Sequence, residues 1–430
     1  MKRSLRIILS LALLLFTPLL ALGQSTGNIQ GTVMDNSGAA IPGATVTIKN
    51  LGTSLTRTVT TDANGNYLVP ALPSGNYSID TNAKGFQHQL VQSAPLNVAS
   101  NVVQNFRLAP SSVTETVTIT EEPPQIESGT ITVGHTIEQK VVQDIPLNGR
   151  HFVDLGLLIP GTVTPPQNGF LTAPLRGQGS FAINTAGNRE DTVNFMINGV
   201  NLNDMVQNQI TFQPSINTVS EFRVDNSTYS AEYGRNSGAI VNIATRSGTN
   251  QFHGEGFEFI RNNDFDARNY FNTKPTLQSP FKRNNFGVSL GGPIIRDKTF
   301  FFFSYEGLRQ RQGLTINQPV LSATDRAAVT NPVSQQLLSF IPQANDATGK
   351  TFVGSATAPV NIDQYTGDVS HSIGQNWRLH GYYAWQKDFR QEPTLQGNNI
   401  PGFGDTRSSH RQVMTFEAAD TITSSLVNDL

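Results

Sequence analysis

The sequence is poor in charge and has no cysteine. Of its 430 residues, 30 are Lys or Arg and 32 are Asp or Glu, so charged residues make up 14% of the chain, below the roughly 25% of ordinary soluble domains. The absence of cysteine excludes disulfide scaffolds, thiolate metal sites and cysteine nucleophiles. The formal net charge of −2 provides no basic field for nucleic acid, so no nucleic-acid partner is expected.

Long apolar runs are also missing beyond the N-terminus, which excludes a helical membrane protein, because a spanning helix needs roughly 20 apolar residues. The N-terminus has the charged, apolar and small-residue order of a secretory signal peptide, with an apolar stretch at 7–22 that Pro18 interrupts. A retained anchor is the alternative, but the run is short and broken. We predict a signal peptide over 1–23, and hence a mature protein that leaves the cytoplasm.

Residues 24–110 are predicted to form a small β-sandwich, because regularly spaced short alternating runs end in Gly, Pro, Asn or Asp. The segment 62–66 has a calcium-loop-like acidic spacing, but no bidentate Glu follows at the required offset. We therefore predict an Asx turn there, with Gly65 at positive φ. The alternating runs lie at 29–33, 44–48, 58–61, 67–69 and 77–79.

This region resembles the carboxypeptidase regulatory-like domain, which has a carbohydrate-binding-like fold. The resemblance implies a binding or spacer module and no peptidase, since His88 is the sole histidine there and a catalytic zinc needs three protein ligands. The segments that carry it are 31–33 (GTV), 41–44 (IPGA), 61–67 (TDANGNY) and 72–77 (LPSGNY).

Residues 111–120 form a linker that alternates β-branched and polar residues and precedes the pair Pro123 and Pro124. Two interpretations remain open. The segment is either the last strand of the sandwich or an extended strand whose free edge another protein takes by β-augmentation.

Residues 121–248 mix helix, strand and Gly-turn signals, as expected for an α+β unit. We predict a helix at 138–144 and a buried apolar segment at 152–160. The segment 233–238 (YGRNSG) lacks the glycine and lysine order of a phosphate-binding loop.

Residues 251–430 alternate like the strands of an outer-membrane barrel. In the segment 377–385, Trp, Leu, Gly, Tyr and Trp occupy the odd positions, whereas Arg and His occur at even ones. One face therefore suits lipid and the other suits water. The same alternation recurs at Phe286, Val288 and Leu290, and at Met414, Phe416 and Ala418.

The predicted connections alternate between short turns, at 292–298 and 374–376, and long loops, at about 309–361 and 387–408. This sorting is typical of a single-chain outer-membrane barrel, and a secreted sandwich array gives no reason for it. The fold class is thus mainly β: signal peptide, sandwich, α+β unit and the start of an antiparallel transmembrane barrel. About seven strands are expected, against about 22 in transporter barrels, so we expect an N-terminal fragment of a longer protein.

In this order, the parts resemble an Oar-like TonB-dependent receptor. The resemblance implies a plug domain at 121–248, a barrel from Gln251, and a sandwich and plug that face the periplasm from the outer membrane. It implies outer-membrane lipid, a TonB-type energy-transducing protein and an extracellular cargo as partners. It also implies a TonB box, the strand that the energy-transducing protein binds, formed by Glu115, Thr116, Val117, Thr118 and Ile119. The segments that carry it are 145–150 (IPLNGR), 197–200 (INGV), 232–238 (EYGRNSG), 241–250 (VNIATRSGTN) and 291–298 (GGPIIRDK).

The implied function is import, driven by TonB-dependent movement of the plug, of a cargo that the sequence does not identify; carbohydrate and peptide are the classes considered. An adhesin or structural envelope protein is the alternative. No enzyme, catalytic residue, metal or cofactor is expected, since the chain has no His-Glu-x-x-His pair and no Gly-x-Ser-x-Gly elbow. Six charged residues of the plug could hold it in place by ion pairs. The alternative is that they are ordinary solvated turn charges. They are Arg176, Arg189, Glu190, Asp191, Glu221 and Arg223.

Overall fold

The computed structural model describes residues 26–429 except 112–115, 120–131, 148, 164–182, 186, 206–207, 209, 228, 231–232, 235, 268–279, 375, 394–403 and 424–425. The predicted signal peptide and Arg176 therefore lie outside the described residues. None of the helices among the described residues is long and apolar enough to span a membrane.

The N-terminal sandwich, residues 26–110, consists of two sheets that share one apolar core. Its strands are β1 (Thr26–Asp35), β2 (Thr45–Asn50), β3 (Thr56–Thr60), β4 (Asn66–Pro73), β5 (Gly75–Asn82), β6 (His88–Leu96), β7 (Asn101–Val103) and β8 (Phe106–Leu108). One sheet has the order β4-β1-β7, with β8 also paired to β1. The other has the order β3-β2-β5-β6 and continues into β9 (Thr116–Ile119).

Alternation places the apolar side chains of the sandwich inside, where Ile29, Ile48 and Tyr77 are fully buried. The predicted Asx turn is present, because an Asp62 carboxylate oxygen accepts from the backbone N–H of Asn64 and of Asn66, each at 2.8 Å. Gly65 has φ 75°. The sequence therefore predicted the first five strands and the sharpest turn of this domain, but it did not predict β6, β7 and β8.

The middle unit, residues 133–245, is an α+β unit around a five-stranded sheet of order β10-β15-β16-β13-β14. Its strands are β10 (Val133–Glu138), β11 (Thr162–Val163), β12 (Asn184–Thr185), β13 (Asn194–Ile197), β14 (Val200–Asn201), β15 (Val219–Ser227) and β16 (Ile240–Thr245). Helix α1 (Gln139–Asp144) lies where the sequence predicted a helix, and 3₁₀ turns occur at Phe152–Leu158, Glu190–Thr192 and Ile216–Thr218. Phe152, Phe195 and Phe222 belong to its apolar core.

The barrel sheet has seven antiparallel strands, each paired with its neighbours in chain order. They are β17 (His253–Asn262), β18 (Phe281–Ile295), β19 (Thr299–Pro319), β20 (Thr351–Ile373), β21 (Trp377–Glu392), β22 (Asp405–Thr423) and β23 (Leu426–Asp429). Over the described residues, β17 and β23 do not pair, so the sheet is not closed. Helices α2 (Ala323–Ala327) and α3 (Pro332–Leu337) and a 3₁₀ turn at Leu338–Phe340 lie in the long loop between β19 and β20.

The two faces of the barrel sheet separate by side-chain chemistry as predicted. Phe303, Tyr383 and Phe416 are exposed on the outward face, whereas Ser304 and Asp388 are buried on the inward face. The short turns at 296–298 and 374–376 and the long loops also follow the prediction. The predicted strand lengths were too short, because β19 and β20 remain paired from Thr299↔His371 to Pro319↔Thr351, well beyond the apolar band. Polar residues continue the strand pairing there, so hydrophobic alternation does not predict this part of the strands.

Candidate functional site

The middle unit lies against the inward face of the barrel sheet, and Arg150 is central to that contact. Gly149 and Arg150 both have positive φ, 92° and 59°, in the turn that follows the Ile-Pro-Leu segment. The guanidinium lies 4.5 Å and 4.6 Å from the ring centroids of Phe257 and Phe259 on β17. Its Nε is 3.5 Å from Oε1 of Glu306 on β19. The pair is 12% exposed on each side, so solvent screens it weakly.

A second set of polar groups joins the same two regions through Ser215 and Gln364. The Ser215 N–H donates to Oε1 of Gln364 at 2.6 Å, and its hydroxyl donates to the Glu306 carboxylate. The Gln364 amide donates to the Gln213 carbonyl at 2.7 Å and to Oε1 of Gln386 at 2.9 Å. Backbone and side chain of one turn are thus hydrogen-bonded to two neighbouring strands, β19 and β20, and Gln364 links this contact to β21.

A small cavity of about 50 Å³ lies within this contact, between Arg150, Ser215 and Glu306. His151 lines it as well, and burial, assisted by the charge of Arg283, lowers the pKa of this histidine to about 4 despite a hydrogen bond with Gln213. The ring is therefore neutral at neutral pH. Among the described residues, no group of three or more His, Asp or Glu side chains is arranged to hold a metal ion.

Two further contacts belong to the interface. Tyr382 and Ala384 on the inward face of β21 join the apolar core of the middle unit. At the end of β16, Arg246 lies 3.9 Å from the Glu255 carboxylate on β17 and 5.0 Å from the Phe302 ring centroid. The inward face thus combines one apolar contact with several polar ones.

The N-terminal sandwich meets the other two regions at the rim of short turns. The Asn250 N–H donates to the Gly52 carbonyl at 2.9 Å. The Asn250 amide donates to the Ser54 hydroxyl at 3.4 Å and to Asp297 at 2.8 Å, and the Asp297 N–H donates back to Asn250 at 2.8 Å. Asp297 belongs to the turn between β18 and β19, so a loop of the sandwich is fixed at this rim.

Glu221 connects the sandwich to the middle unit. The Val98 N–H donates to its Oε2 at 2.6 Å. Burial raises the pKa of Glu221 to about 7, and the nearby charge of Glu138 adds to the rise, while hydrogen bonds from Val98 and Ser74 and the charge of Arg223 lower it. A carboxyl group close to half protonation at neutral pH thus lies between two domains.

Comparison with known proteins agrees with a barrel sheet and an N-terminal sandwich. An outer membrane beta barrel domain family matches residues 244–430, which include every strand of the barrel sheet, and the carboxypeptidase regulatory-like domain family matches residues 28–109. The TonB-dependent transporter Oar of Myxococcus xanthus is 27% identical over 374 residues, covering 83% of this chain and 33% of Oar. The chain is a homologue of a TonB-dependent outer-membrane transporter. Its location is the outer membrane. It spans about a third of the length of Oar.

Two solved structures are similar to this chain at low identity. The outer membrane transporter YddB of Escherichia coli is 12% identical, with a TM-score of 0.46 over 67% of this chain and 36% of YddB. The ferric enterobactin receptor PfeA of Pseudomonas aeruginosa, solved as a mutant with enterobactin, is 11% identical, with a TM-score of 0.42 over 67% of this chain and 38% of that receptor.

Among the charges nominated from the sequence, Arg176 lies outside the described residues, and the described side chains of Arg189, Asp191, Glu221 and Arg223 contact groups outside the barrel sheet. Arg189 pairs with Asp191 on the surface of the middle unit. Arg223 pairs with Asp225 at 2.8 Å within β15, both nearly fully buried. Glu221 contacts the sandwich, and the backbone of Glu190 lies in a 3₁₀ turn. Their role in holding the unit stays a prediction.

The nominated TonB box is partly described. Glu115 lies outside the described residues, and Thr116, Val117, Thr118 and Ile119 form β9, which pairs in parallel with β6 from His88↔Thr116 to Val91↔Ile119. β9 is the terminal strand of its sheet, so its second edge has no strand partner in the described part of the chain. Both interpretations of the linker are compatible with this position.

Arg150, Ser215, Glu306 and Gln364 were not nominated from the sequence. The sequence contained a signal for two of them, Arg150 and Glu306. Arg150 ends the Ile145–Arg150 segment, and Glu306 follows Ser304 on the polar side of an alternating strand. Their contact joins distant parts of the chain, however, and a single sequence does not indicate which inward carboxylate meets which cation.

Proposed function

We propose that the chain is part of a TonB-dependent transporter whose middle unit is the plug. The observation that carries the proposal is the contact of this unit with the inward face of the barrel sheet through Arg150, Ser215, Glu306 and Gln364. Groups of this kind exchange protein partners for water at a small net free-energy change, about 0.5–1.5 kcal/mol per hydrogen bond. An interface that contains several of them supports a unit that shifts without unfolding. The cargo is unidentified, with carbohydrate and peptide as the classes to test, and no enzymatic activity is proposed.

We further propose that the strand containing Val117 is where a TonB-type protein binds. Partner proteins add strands to exposed sheet edges through backbone hydrogen bonds. The open second edge of β9 offers such a ladder while β6 still occupies the first edge. The sandwich lies at the rim of short turns, the periplasmic rim of outer-membrane barrels, so the strand and the energy-transducing protein share a compartment.

Binding of a TonB C-terminal fragment to the whole gene product tests this proposal. Val117→Pro removes a backbone N–H and restricts the strand, and we expect it to abolish binding, whereas Val117→Ala keeps the backbone donor and should bind normally. The protein would be purified in detergent and binding measured by calorimetry. An adhesin or structural protein would be indifferent to both changes, and unaltered binding by Val117→Pro would refute the assignment of this strand.

A further inference from the structure

An aromatic row crosses the outward face of the barrel sheet. Neighbouring ring centroids lie 6.2 Å apart for Phe286 and Tyr305, 4.9 Å for Tyr305 and Tyr365, 5.6 Å for Tyr365 and Trp385, and 5.9 Å for Trp385 and His410. Amphipathic aromatic rings mark the boundary between hydrocarbon and headgroups in outer-membrane barrels. The long loops lie beyond this row, so it marks the outer boundary of the membrane.

Four cationic side chains lie on the same outward face, two to six residues beyond the row along their strands. We call Lys282, Arg309, Arg311 and Lys387 the basic stripe. Lys282 and Arg311 are direct register partners on β18 and β19. Arg309 precedes Arg311 by two residues and so shares its face. Like charges directly opposite each other destabilise a sheet unless an anion lies between them.

Acidic side chains compensate this stripe only in part. On β18 to β22, the described outward-facing acid at this level is Asp363, whose Oδ1 accepts from the Tyr305 hydroxyl at 2.8 Å and from Arg309 at 2.6 Å. Arg311 donates to neutral oxygens, including Oδ1 of Asn361 at 2.8 Å. Within the described residues, Lys282 and Lys387 have no carboxylate within ion-pair distance. The stripe therefore has an excess of positive charge.

We propose that the basic stripe binds the phosphate groups of a phosphorylated glycolipid in the outer leaflet. The position supports lipid as the source, because acyl chains below the headgroup would lie along the aromatic row while the phosphates meet Lys282 and Arg311. Arg presents a planar fork that matches a phosphate, and Lys adds a compact charge. Basic clusters next to the hydrocarbon region attract anionic lipid headgroups. The inference needs only the outer-membrane location, and it stands whether or not the protein transports cargo.

Native mass spectrometry of the whole gene product, purified in detergent, tests the proposal with bisphosphorylated lipid A as the probe. The double variant Lys282→Gln and Arg311→Gln should reduce the fraction of lipid-bound protein about tenfold. A matched control, Arg296→Gln with Lys298→Gln, removes the same charge at the opposite rim and should leave binding unchanged. The exchange Lys282→Arg with Arg311→Lys keeps the charge and should restore binding, which separates loss of charge from loss of fold.

Three results would overturn the proposal. The first is equal lipid binding by the glutamine double variant and the unmodified protein. The second is equal binding of lipid A whose phosphates have been removed. The third is displacement of the lipid by millimolar inorganic phosphate, which would make the stripe a site for free phosphate.

Discussion

The interior of the middle unit and its contact with the barrel sheet have different chemistry. The interior is apolar: Phe152 and Phe222 are fully buried, with ring centroids 6.0 Å apart at 62°. The contact combines the apolar side chains of Tyr382 and Ala384 with an ion pair and with hydrogen bonds of Ser215 and Gln364. Removing apolar groups from a core costs several kcal/mol per side chain, whereas a hydrogen bond that water can replace contributes little net free energy. The difference favours a unit that detaches from the barrel sheet before it unfolds.

The largest effect is expected from breaking the interior. Phe222→Ala should destabilise the middle unit by about 3–5 kcal/mol, because it removes a fully buried ring and leaves a cavity. Hydrogen exchange of amides in β15 and β16 measures this, since faster exchange reports local opening. Phe416→Ala is the control, because that ring is 63% exposed on the outward face. Equal acceleration by both variants would contradict the contrast between interior and surface.

This contrast shows which features of the fold and of the contact the sequence alone predicts. Alternation at 377–385 predicted which side chains face outward, and Tyr383 is exposed as expected. The same alternation did not predict that Tyr382 would join the core of the middle unit, because an inward position normally meets water. Likewise, Arg150 meets Glu306 only because the fold superposes a turn of the middle unit on β19. Patterns along the chain predict faces, and contacts between distant elements need the fold.

A second prediction concerns the contact between sandwich and middle unit, where one carboxyl group is buried. The pKa of Glu221 rises from 4.5 to about 7 in the folded protein. Between these values the folded state binds more protons than the unfolded state, so the free energy of unfolding falls as pH rises, by up to about 1.4 kcal/mol per pH unit. Above about pH 7 and below about pH 4.5 this contribution is flat.

Glu221→Gln should remove that slope, measured by hydrogen exchange of β15 between pH 4.5 and 8 after correction for intrinsic exchange. His151 acts in the opposite sense, because its pKa falls from 6.5 to about 4 on folding, so its contribution rises with pH up to about pH 6.5 and is flat above it. The difference between the unmodified protein and the Gln variant isolates Glu221. Asp264→Asn, an exposed loop position, is the control and should leave the slope unchanged. An unaltered slope in the Gln variant would contradict the assignment.

A third and smaller effect is expected at the contact with the barrel sheet. Arg150→Ala should cost about 2 kcal/mol, because it leaves the Glu306 carboxylate largely buried without its cation. Glu306→Gln should relieve part of that loss, so the double variant should be less destabilised than the sum of the single variants. Exchange of the amides of Ser215 and its neighbours measures the coupling. Strict additivity would mean that the two groups do not interact.

The smallest effect is expected at Arg189, an exposed charge of the middle unit that can be compared with the buried Arg150. This side chain is 81% exposed, although it pairs with Asp191 and that hydrogen bond lowers the pKa of the aspartate. Exposed ion pairs gain little, since water and salt screen them and both side chains lose conformational freedom, so Arg189→Ala should change the stability of the middle unit by less than about 0.5 kcal/mol. The same exchange measurement, with Arg150→Ala alongside, gives the ratio of the two effects. If Arg189→Ala matched Arg150→Ala, surface charges of the middle unit would contribute as much as its buried contact, and the charges nominated from the sequence would regain a role in holding the unit.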